Sequence, residues 1–422
     1  MTQPTIQLIR GFKDILPKEV ELWQYIEKTA VKLLSDFGYF EIRVPIMEKT
    51  ELFARSIGED TDIVEKEMYT FTDRKDELLT LRPEATASIV RAYIQHKMYA
   101  DNPVRRFYTI GPMFRRERPQ KGRYRQFYQI DAEIFGVNEP YADVEVIFLL
   151  ATLFSHLNVT DITAHINSLG CPVCRPEFKR TFTRMLSSVS KELCSNCLRR
   201  KERNPLRVLD CKVPGCRGAM RAAPSILEHL CADCRTHFNF VTNTLEKLKV
   251  PFKIDKRLVR GLDYYTRTTF EMQTKALGAQ SAVAGGGRYD GLVEALGGPG
   301  QPAIGFAVGF DRLAEIMALS DKNYAVTPHL YIAALGEAAK AKAFLWRFEL
   351  GLAGIMTEME LGQKSLKSQM KQADRAGAAY VLILGENEIK RNKAQLRNMQ
   401  TKVQETVPLA DTVSILKKKL KR

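Results

Sequence analysis

Residues 105–136 read RRFYTIGPMFRRERPQKGRYRQFYQIDAEIFG. The two flanks, RRFYTIGPMFRRE and QFYQIDAEIFG, are rich in Phe, Tyr, Ile and Thr, which predicts a pair of strands. Between them RPQKGRYR forms a long charged loop, where a two-residue turn would close an ordinary hairpin. Arg118, Lys121, Arg123 and Arg125 crowd that loop and repel one another unless an anion sits among them. On the first predicted strand Arg115 and Glu117 share a face; on the second, Phe127, Gln129, Asp131 and Glu133 do. A face carrying Arg, Gln and carboxylates makes a poor core and a good floor for a polar ligand. A solvated basic hairpin is the plainer alternative, but it leaves the acid-and-amide face without a purpose.

The composition is that of an ordinary globular protein with room for a large core. Its 422 residues allow roughly two to four domains. A net charge of +15 makes a polyanionic partner the expectation. No apolar run approaches the length of a membrane span. The start, MTQPTIQLIRGFKDILP, lacks the pattern of a secretory leader. The expected location is therefore cytoplasmic. All eight cysteines lie between Cys171 and Cys234, and in a reducing compartment such clustering favours metal over disulfides.

Helical spacing of Ile26, Ala30, Leu33 and Phe37 predicts a helix over 19–37 that Gly38 stops. FEIRVPIME follows as a strand holding Pro45, which suits an edge or a bulge. LLTLRP reads as a strand leading into a helix that starts near Pro83 and Glu84. YADVEVIFLLATLFSHL reads as a helix and DITAHINSLG as a strand. The cysteine-rich stretch has few strand signals. From about Pro251 a strand pair carrying RGLDYYTRTTFEM is expected, then AGGGRYDGLVEALGG and AIGFAVGFDRLAEIM. Beyond about Thr327 strands and helices alternate, which predicts a small α/β domain with a mostly parallel sheet. Its first helix is expected to set Leu345, Phe348 and Leu352 on one side. No phosphate-binding G-x-x-x-x-G-K-[ST] loop is present.

GPMFRRERPQKGRYRQFYQ closely resembles the second signature motif of class II aminoacyl-tRNA synthetases, in the form found in histidyl-tRNA synthetases. The long helix and Pro45 strand resemble the first class II motif, AIGFAVGFDRL the third. LRPE-x-T, RGLDYY and AGGGRYDGL resemble segments of the same family. The resemblance implies an α+β protein: a class II catalytic core with an antiparallel sheet and helices (1–168 and 246–322), a cysteine-rich inserted domain (169–245) and a C-terminal α/β anticodon-binding domain (327–422). It implies ATP-dependent joining of L-histidine to tRNA(His) through a histidyl-adenylate, in a homodimer built on the first motif.

By motif position, the family implies that Glu84 and Thr86 face the amino group of histidine. Gln129, Glu133, Tyr264, Tyr265 and Tyr289 surround the amino acid. Arg115 takes the α-phosphate and the histidine carboxylate, with Glu117 and Phe127 at the nucleotide, Phe127 stacking on adenine. Arg312 takes the terminal phosphates. Arg260 touches both the carboxylate and the α-phosphate, and Arg115 and Arg260 are the catalytic pair. Arg118 and Gln120 meet the tRNA acceptor end. Magnesium accompanies the phosphates. Asp131 has no assigned role.

The cysteines form four pairs: Cys171/Cys174, Cys194/Cys197, Cys211/Cys216 and Cys231/Cys234. Their spacing suits one or two structural Cys₄ zinc sites, with neighbours along the chain expected to combine and pairings across the two halves left open. Closed sites take no part in chemistry, so chelation is expected to spare adenylate formation. Two rival readings remain: a non-catalytic synthetase-like regulatory subunit of histidine biosynthesis, and a zinc-dependent RNA-binding module. Retention of Arg115, Arg260, Arg312 and the C-terminal domain argues against both.

Overall fold

The computed structural model describes residues 5–58, 61–120, 122–276, 282–320 and 322–420; Lys121 of the hairpin loop lies outside them. The chain divides into two units, Met1–Asn323 and Tyr324–Arg422.

In the first unit α1 spans Pro17–Asp36, with Pro17 in its first turn and Glu19 facing the positive helix end. Gly38, at φ +77°, ends it. Leu22, Trp23, Ile26, Ala30, Leu33 and Leu34 are buried, and Trp23 stacks on Phe310 at 4.3 Å. The expected strand through Pro45 is two short strands instead, β1 (Phe40–Glu41) and β2 (Met47–Lys49). They join different sheets, and the proline, which has no N–H for a ladder, falls between them.

Next come α2 (Thr50–Ile57), β3 (Tyr69–Thr72), β4 (Leu78–Leu81) and α3 (Thr86–Gln95). The helix begins after Pro83 and Glu84, later than expected. Glu84 caps it from outside, its carboxylate accepting from the amides of Thr86 (2.8 Å) and Ala87 (2.9 Å). The hairpin is β5 (Arg105–Phe114) and β6 (Gln126–Phe135), paired over ten residues each. Arg115 and Glu117 lie past the end of β5, in the loop, rather than on the strand.

After α4 (Tyr141–His156) and β7 (Thr163–Ser168), the insertion is helical: α5 (Arg175–Ser188), α6 (Ser195–Arg203), α7 (Pro214–Ala219) and α8 (Ala232–Lys247). The core resumes with β8 (Phe252–Ile254), β9 (Thr266–Gln273), β10 (Ala282–Arg288), α9 (Leu292–Ala295), β11 (Ala303–Gly309) and α10 (Phe310–Met317). β8 and β9 do not pair with each other; both flank β7. RGLDYY is the loop between them. The eight-stranded sheet runs β1-β5-β6-β11-β10-β9-β7-β8, antiparallel except for the parallel pairs at its two ends. The glycine triplet lies inside β10 and not in a turn.

A buried ionic triad ties the insertion to this sheet. Asp143 of α4 accepts from Arg288 Nε at 2.7 Å and faces His237 Nε2 of α8 at 2.9 Å. Arg288 also donates to the carbonyls of Val137 and Glu139, so its charge is met on several sides, as burial demands.

The second unit contains β12 (Leu330–Ala334), α11 (Glu337–Leu352), β13 (Thr357–Met359), α12 (Leu366–Arg375), β14 (Tyr380–Leu384), α13 (Glu386–Lys390), β15 (Lys393–Asn398), β16 (Gln404–Pro408) and α14 (Thr412–Leu420). β13, β12 and β14 are parallel, whereas β15 and β16 add an antiparallel ribbon that the alternation of strand and helix did not foretell. α11 buries Ala339, Ala343, Trp346 and Leu350. Leu345, Phe348 and Leu352 lie together as expected but face outward, at 63%, 53% and 91% exposure. Small alanines let the helix approach the sheet closely, so the bulkier stripe is not the core stripe.

Candidate active site

The hairpin, β10, β11 and the RGLDYY loop enclose a cavity of about 850 Å³ whose lining includes Arg115, Glu117, Phe127, Gln129, Arg260 and Arg312. Each is delivered by local structure. Phe127 and Gln129 alternate on β6, and the Arg115 guanidinium lies 5.2 Å from the Phe127 ring centroid. Nε of Arg115 donates to the Pro83 carbonyl at 2.9 Å, which steadies it and leaves its outer nitrogens toward the cavity. Arg312, on the first turn of α10, donates to the carbonyls of Gly122 (3.1 Å) and Ala282 (2.8 Å). Arg260 pairs with Glu271 of β9 at 2.5 Å. Gly285 makes that possible, because a Cβ there would meet the Arg260 guanidinium at 2.6 Å. Gln129 Oε1 and Arg260 Nε are buried without a partner among the described residues. Polar atoms left so in a cavity suit a polar ligand.

Beside this cavity lies a buried polar cluster. Thr86 Oγ1 donates to Glu133 Oε1 at 2.7 Å and the Tyr289 hydroxyl to Glu133 Oε2 at 2.6 Å. The Tyr264 ring lies 4.6 Å from that of Tyr265 and 5.6 Å from that of Tyr289. Gly305 leaves the space Glu133 occupies, since a Cβ there would stand 1.5 Å from its carboxylate. Burial pushes the Glu133 carboxyl up to about 8, and raises Glu84, Tyr264, Tyr265 and Tyr289 as well. A carboxylate has about four acceptor positions, so the two hydroxyls leave Glu133 able to take an N–H more.

Asp131 now has neighbours. It is buried opposite Thr109, and burial together with Glu133 and Glu84 raises it well above the carboxylate range while Arg82 opposes that rise. Arg82 itself is buried, donating to Pro112 O (2.9 Å) and Val44 O (3.1 Å). Asp131 is a structural member of the floor. Arg118 and Gln120 are exposed in the hairpin loop, outside the cavity lining. Sequence reasoning missed Arg82 and Glu271, and read Arg123 only as one of the loop's cations. Glu271 alternates on a predicted strand, which was the available signal; Arg123 pairs with Glu117 at 3.1 Å.

The eight cysteines are all free thiols. They form two clusters, Cys171/Cys174/Cys231/Cys234 and Cys194/Cys197/Cys211/Cys216, with the sulfurs of each within 4.8 Å of one another. The pairing is nested, first with fourth and second with third, rather than first with second and third with fourth. Measured S···S separations of 3.6 Å and 3.9 Å in the first cluster and 3.9 Å in the second exceed a disulfide bond. They match the edge of about 3.8 Å that a tetrahedron with Zn–S near 2.3 Å requires. Backbone amides of Cys231 and Cys194 donate to Cys174 Sγ and Cys216 Sγ, the kind of outer-shell support that metal thiolates carry.

The insertion grips the RGLDYY loop. Arg207 donates to Gly261 O at 2.5 Å and Asn204 Nδ2 to Asp263 at 2.7 Å, and Arg175, next to Cys174, donates to Tyr265 O. Arg200 pairs with Asp62 of the core at 2.7 Å.

An antiparallel sheet with arginines from the hairpin loop and from the strand–helix junction around one cavity defines the class II aminoacyl-tRNA synthetase core. The description "Histidyl-tRNA synthetase" matches residues 11–313, and "Anticodon binding domain" matches 329–419. Histidine--tRNA ligase of Desulfatibacillum aliphaticivorans is 62% identical over 404 residues, covering 96% of both chains. That of Desulforapulum autotrophicum is 61% identical over 407 residues, again covering 96% of both. The crystal structure of apo S. aureus histidyl-tRNA synthetase superposes with a TM-score of 0.83 at 35% identity, covering 98% of this chain and 100% of that one. The chain belongs to the histidyl-tRNA synthetase family.

Proposed function

We propose that the protein attaches L-histidine to tRNA(His) in two steps, forming histidyl-adenylate and pyrophosphate from histidine and ATP, then passing the acyl group to the terminal tRNA hydroxyl. The observation that carries this reading is the convergence of Arg115, Arg260 and Arg312 with Phe127 on one cavity. The first step needs no strong base, because its nucleophile is already a carboxylate. It needs in-line positioning and neutralised phosphate charge, and guanidinium forks suit both. Arg115 and Arg260 hold the α-phosphate and the histidine carboxylate, Arg312 the terminal phosphates, and Phe127 the adenine. Glu84, Thr86, Gln129, Glu133, Tyr264, Tyr265 and Tyr289 form the amino-acid pocket, and Arg118 and Gln120 reach the acceptor end. Glu117 offers a carboxylate in the cavity for magnesium, whose contribution is further charge neutralisation. Histidine-dependent ATP–pyrophosphate exchange and charging of tRNA(His) test the reading. A chain that does neither, yet binds and stimulates an enzyme of histidine biosynthesis, would be the regulatory subunit instead.

We divide the chain into a catalytic core (1–168 and 246–322), an insertion (169–245) and an anticodon-binding domain (327–422). Each cysteine cluster holds a structural zinc ion, with no open position for chemistry. Among the described residues no helix is long and apolar enough to cross a membrane, and eight free thiols suit the cytoplasm.

The protein acts as a homodimer. α1 spends its apolar stripe within its own chain, whereas Phe40 (71%), Leu78 (55%), Met47 and Phe71 (both 44%) are exposed around β1–β4. Such a patch calls for a cover. Sedimentation should give a dimer that Phe40→Glu with Met47→Glu splits; a stable, active wild-type monomer contradicts this.

Glu133→Gln should weaken histidine binding by about 10–100-fold while ATP binding changes little, since only the imidazole N–H needs a charged acceptor. With its carboxyl held near 8, Glu133 is mostly protonated at pH 7 in the free protein. Binding to the carboxylate form then releases a proton, so affinity rises with pH toward 8 and levels above it. Calorimetry in buffers of different ionisation enthalpy should detect release in the parent and none in the variant. Equal losses for both ligands would make Glu133 merely structural.

A further inference from the structure

The second cysteine cluster belongs to the nucleotide cavity as well as to the insertion. Cys211 lines the cavity, and so do Lys212 and Arg217, the residues that follow Cys211 and Cys216. The short segment from Cys211 to Arg217 is therefore a knuckle whose Lys212 and Arg217 share one space with Arg115, Phe127, Arg260 and Arg312. Its placement is anchored at both ends of the insertion's approach: Arg207 and Asn204 bond the RGLDYY loop, and Arg257 of the core donates to Arg221 O at 3.4 Å.

Charge makes the knuckle more than a wall. Arg260 has Glu271 and Arg123 has Glu117 as partners. Lys212 and Arg217 are exposed to the cavity, and among the described residues no carboxylate stands within ion-pair distance of either. Lys212 has Asp210, also in the lining, as an electrostatic neighbour. A point charge and a fork, neither held in an ion pair, in a cavity already fitted for a nucleotide are suited to phosphate oxygens. We propose that Lys212 and Arg217 bind the polyphosphate end of ATP and the departing pyrophosphate, and that the Cys194/Cys197/Cys211/Cys216 site presents them. This deepens the adenylation reading above and rests on it. A closed Cys₄ site thereby affects the first step without touching a reacting atom.

The test is the Lys212→Ala/Arg217→Ala double variant in the full-length, metal-replete protein. Removing two charge-assisted contacts should raise the KM for ATP by about tenfold or more, with much smaller changes in kcat and in the KM for histidine. Pyrophosphate inhibition should weaken in parallel, and Lys212→Arg with Arg217→Lys should restore most of the loss. Calorimetric titration with ATP alone reads the inference even if exchange activity is missing, which would count against the proposed function and not against this site. Metal-free protein should show the same loss of ATP affinity. Unchanged ATP affinity in the double variant overturns the proposal. So does a defect confined to tRNA charging, which would assign the two cations to the acceptor strand. ATP affinity unmoved by metal removal overturns the link to the cysteine site.

Discussion

Arg260→Ala should lower histidine-dependent ATP–pyrophosphate exchange by about 10²–10³-fold, the cost of one charge-stabilising contact of roughly 3–4 kcal/mol, with histidine still binding weakly. The structure explains why the loss falls on rate. Arg260 is held against Glu271 at 2.5 Å and over the Tyr265 ring at 5.6 Å, so its fork is oriented before substrate arrives. Preorganised charge needs no rearrangement as the transition state forms. Arg260→His places a smaller group, without the fork, in a space that Gly285 opened for a guanidinium, and should fail in the same way. Part of any loss could come from Glu271 left without its cation. Glu271→Gln separates the two effects: it removes the acid and keeps Arg260, so its defect should be much the milder. Near-normal exchange by Arg260→Ala would remove Arg260 from the mechanism.

Metal removal should be the largest structural perturbation of the chain. Structural zinc contributes on the order of 10 kcal/mol to folding a small metal-bound domain. The insertion's first part, 171–230, has a small apolar core of residues such as Phe178, Phe182, Leu186, Val208 and Met220, with the buried cysteines among them. Chelation should therefore raise amide exchange across residues 171–240 and abolish tRNA charging. The spacing of the cysteines alone suggested that adenylate formation would survive. The tertiary contacts argue otherwise, because Arg175, Asn204 and Arg207 hold the backbone or side chains of Gly261, Asp263 and Tyr265, the loop that begins with Arg260. A loosened insertion releases that loop, so exchange should fall by about tenfold or more, an effect of misplacement by a fraction of the positioning term. Elemental analysis of protein purified under reducing conditions should find zinc. Absence of any bound metal, or full adenylation after complete chelation, would refute the respective half of the argument.

Much of the architecture was legible in the sequence because it is written in local periods. The two-residue alternation of 105–114 and 126–135 marks the hairpin, and the helical spacing of Ile26, Ala30 and Leu33 marks α1, since strand and helix geometry repeat over a few residues. Phe37, read with them, falls just past the end of α1. Motif order then pointed to the site. Local signals misled where a residue's environment, not its neighbours in sequence, decides. Pro45 split a strand that its flanks seemed to continue. Gly285–Gly287 showed in sequence only as a motif; they lie in a strand where Arg260 and the adjoining strands come too close for a side chain. Leu345, Phe348 and Leu352 share a helix face, yet the sheet took the alanine face.

What the sequence by itself determined was the set of parts: strands, helices, eight thiols at ligand spacing, and the arginines of the motifs. Only the tertiary structure decided which parts meet. Three cysteine pairs have the same C-x₂-C spacing, so nothing local distinguishes one partner from another, and chain closure around α5–α8 selected the nested arrangement. Arg260 with Glu271, Arg82 beside Asp131, and Lys212 facing the nucleotide cavity are likewise meetings of residues from separate elements. Side-chain charge and size are properties of one residue, but burial and pairing belong to the folded neighbourhood, and that exists only once the sheet has closed and the insertion has docked on the RGLDYY loop.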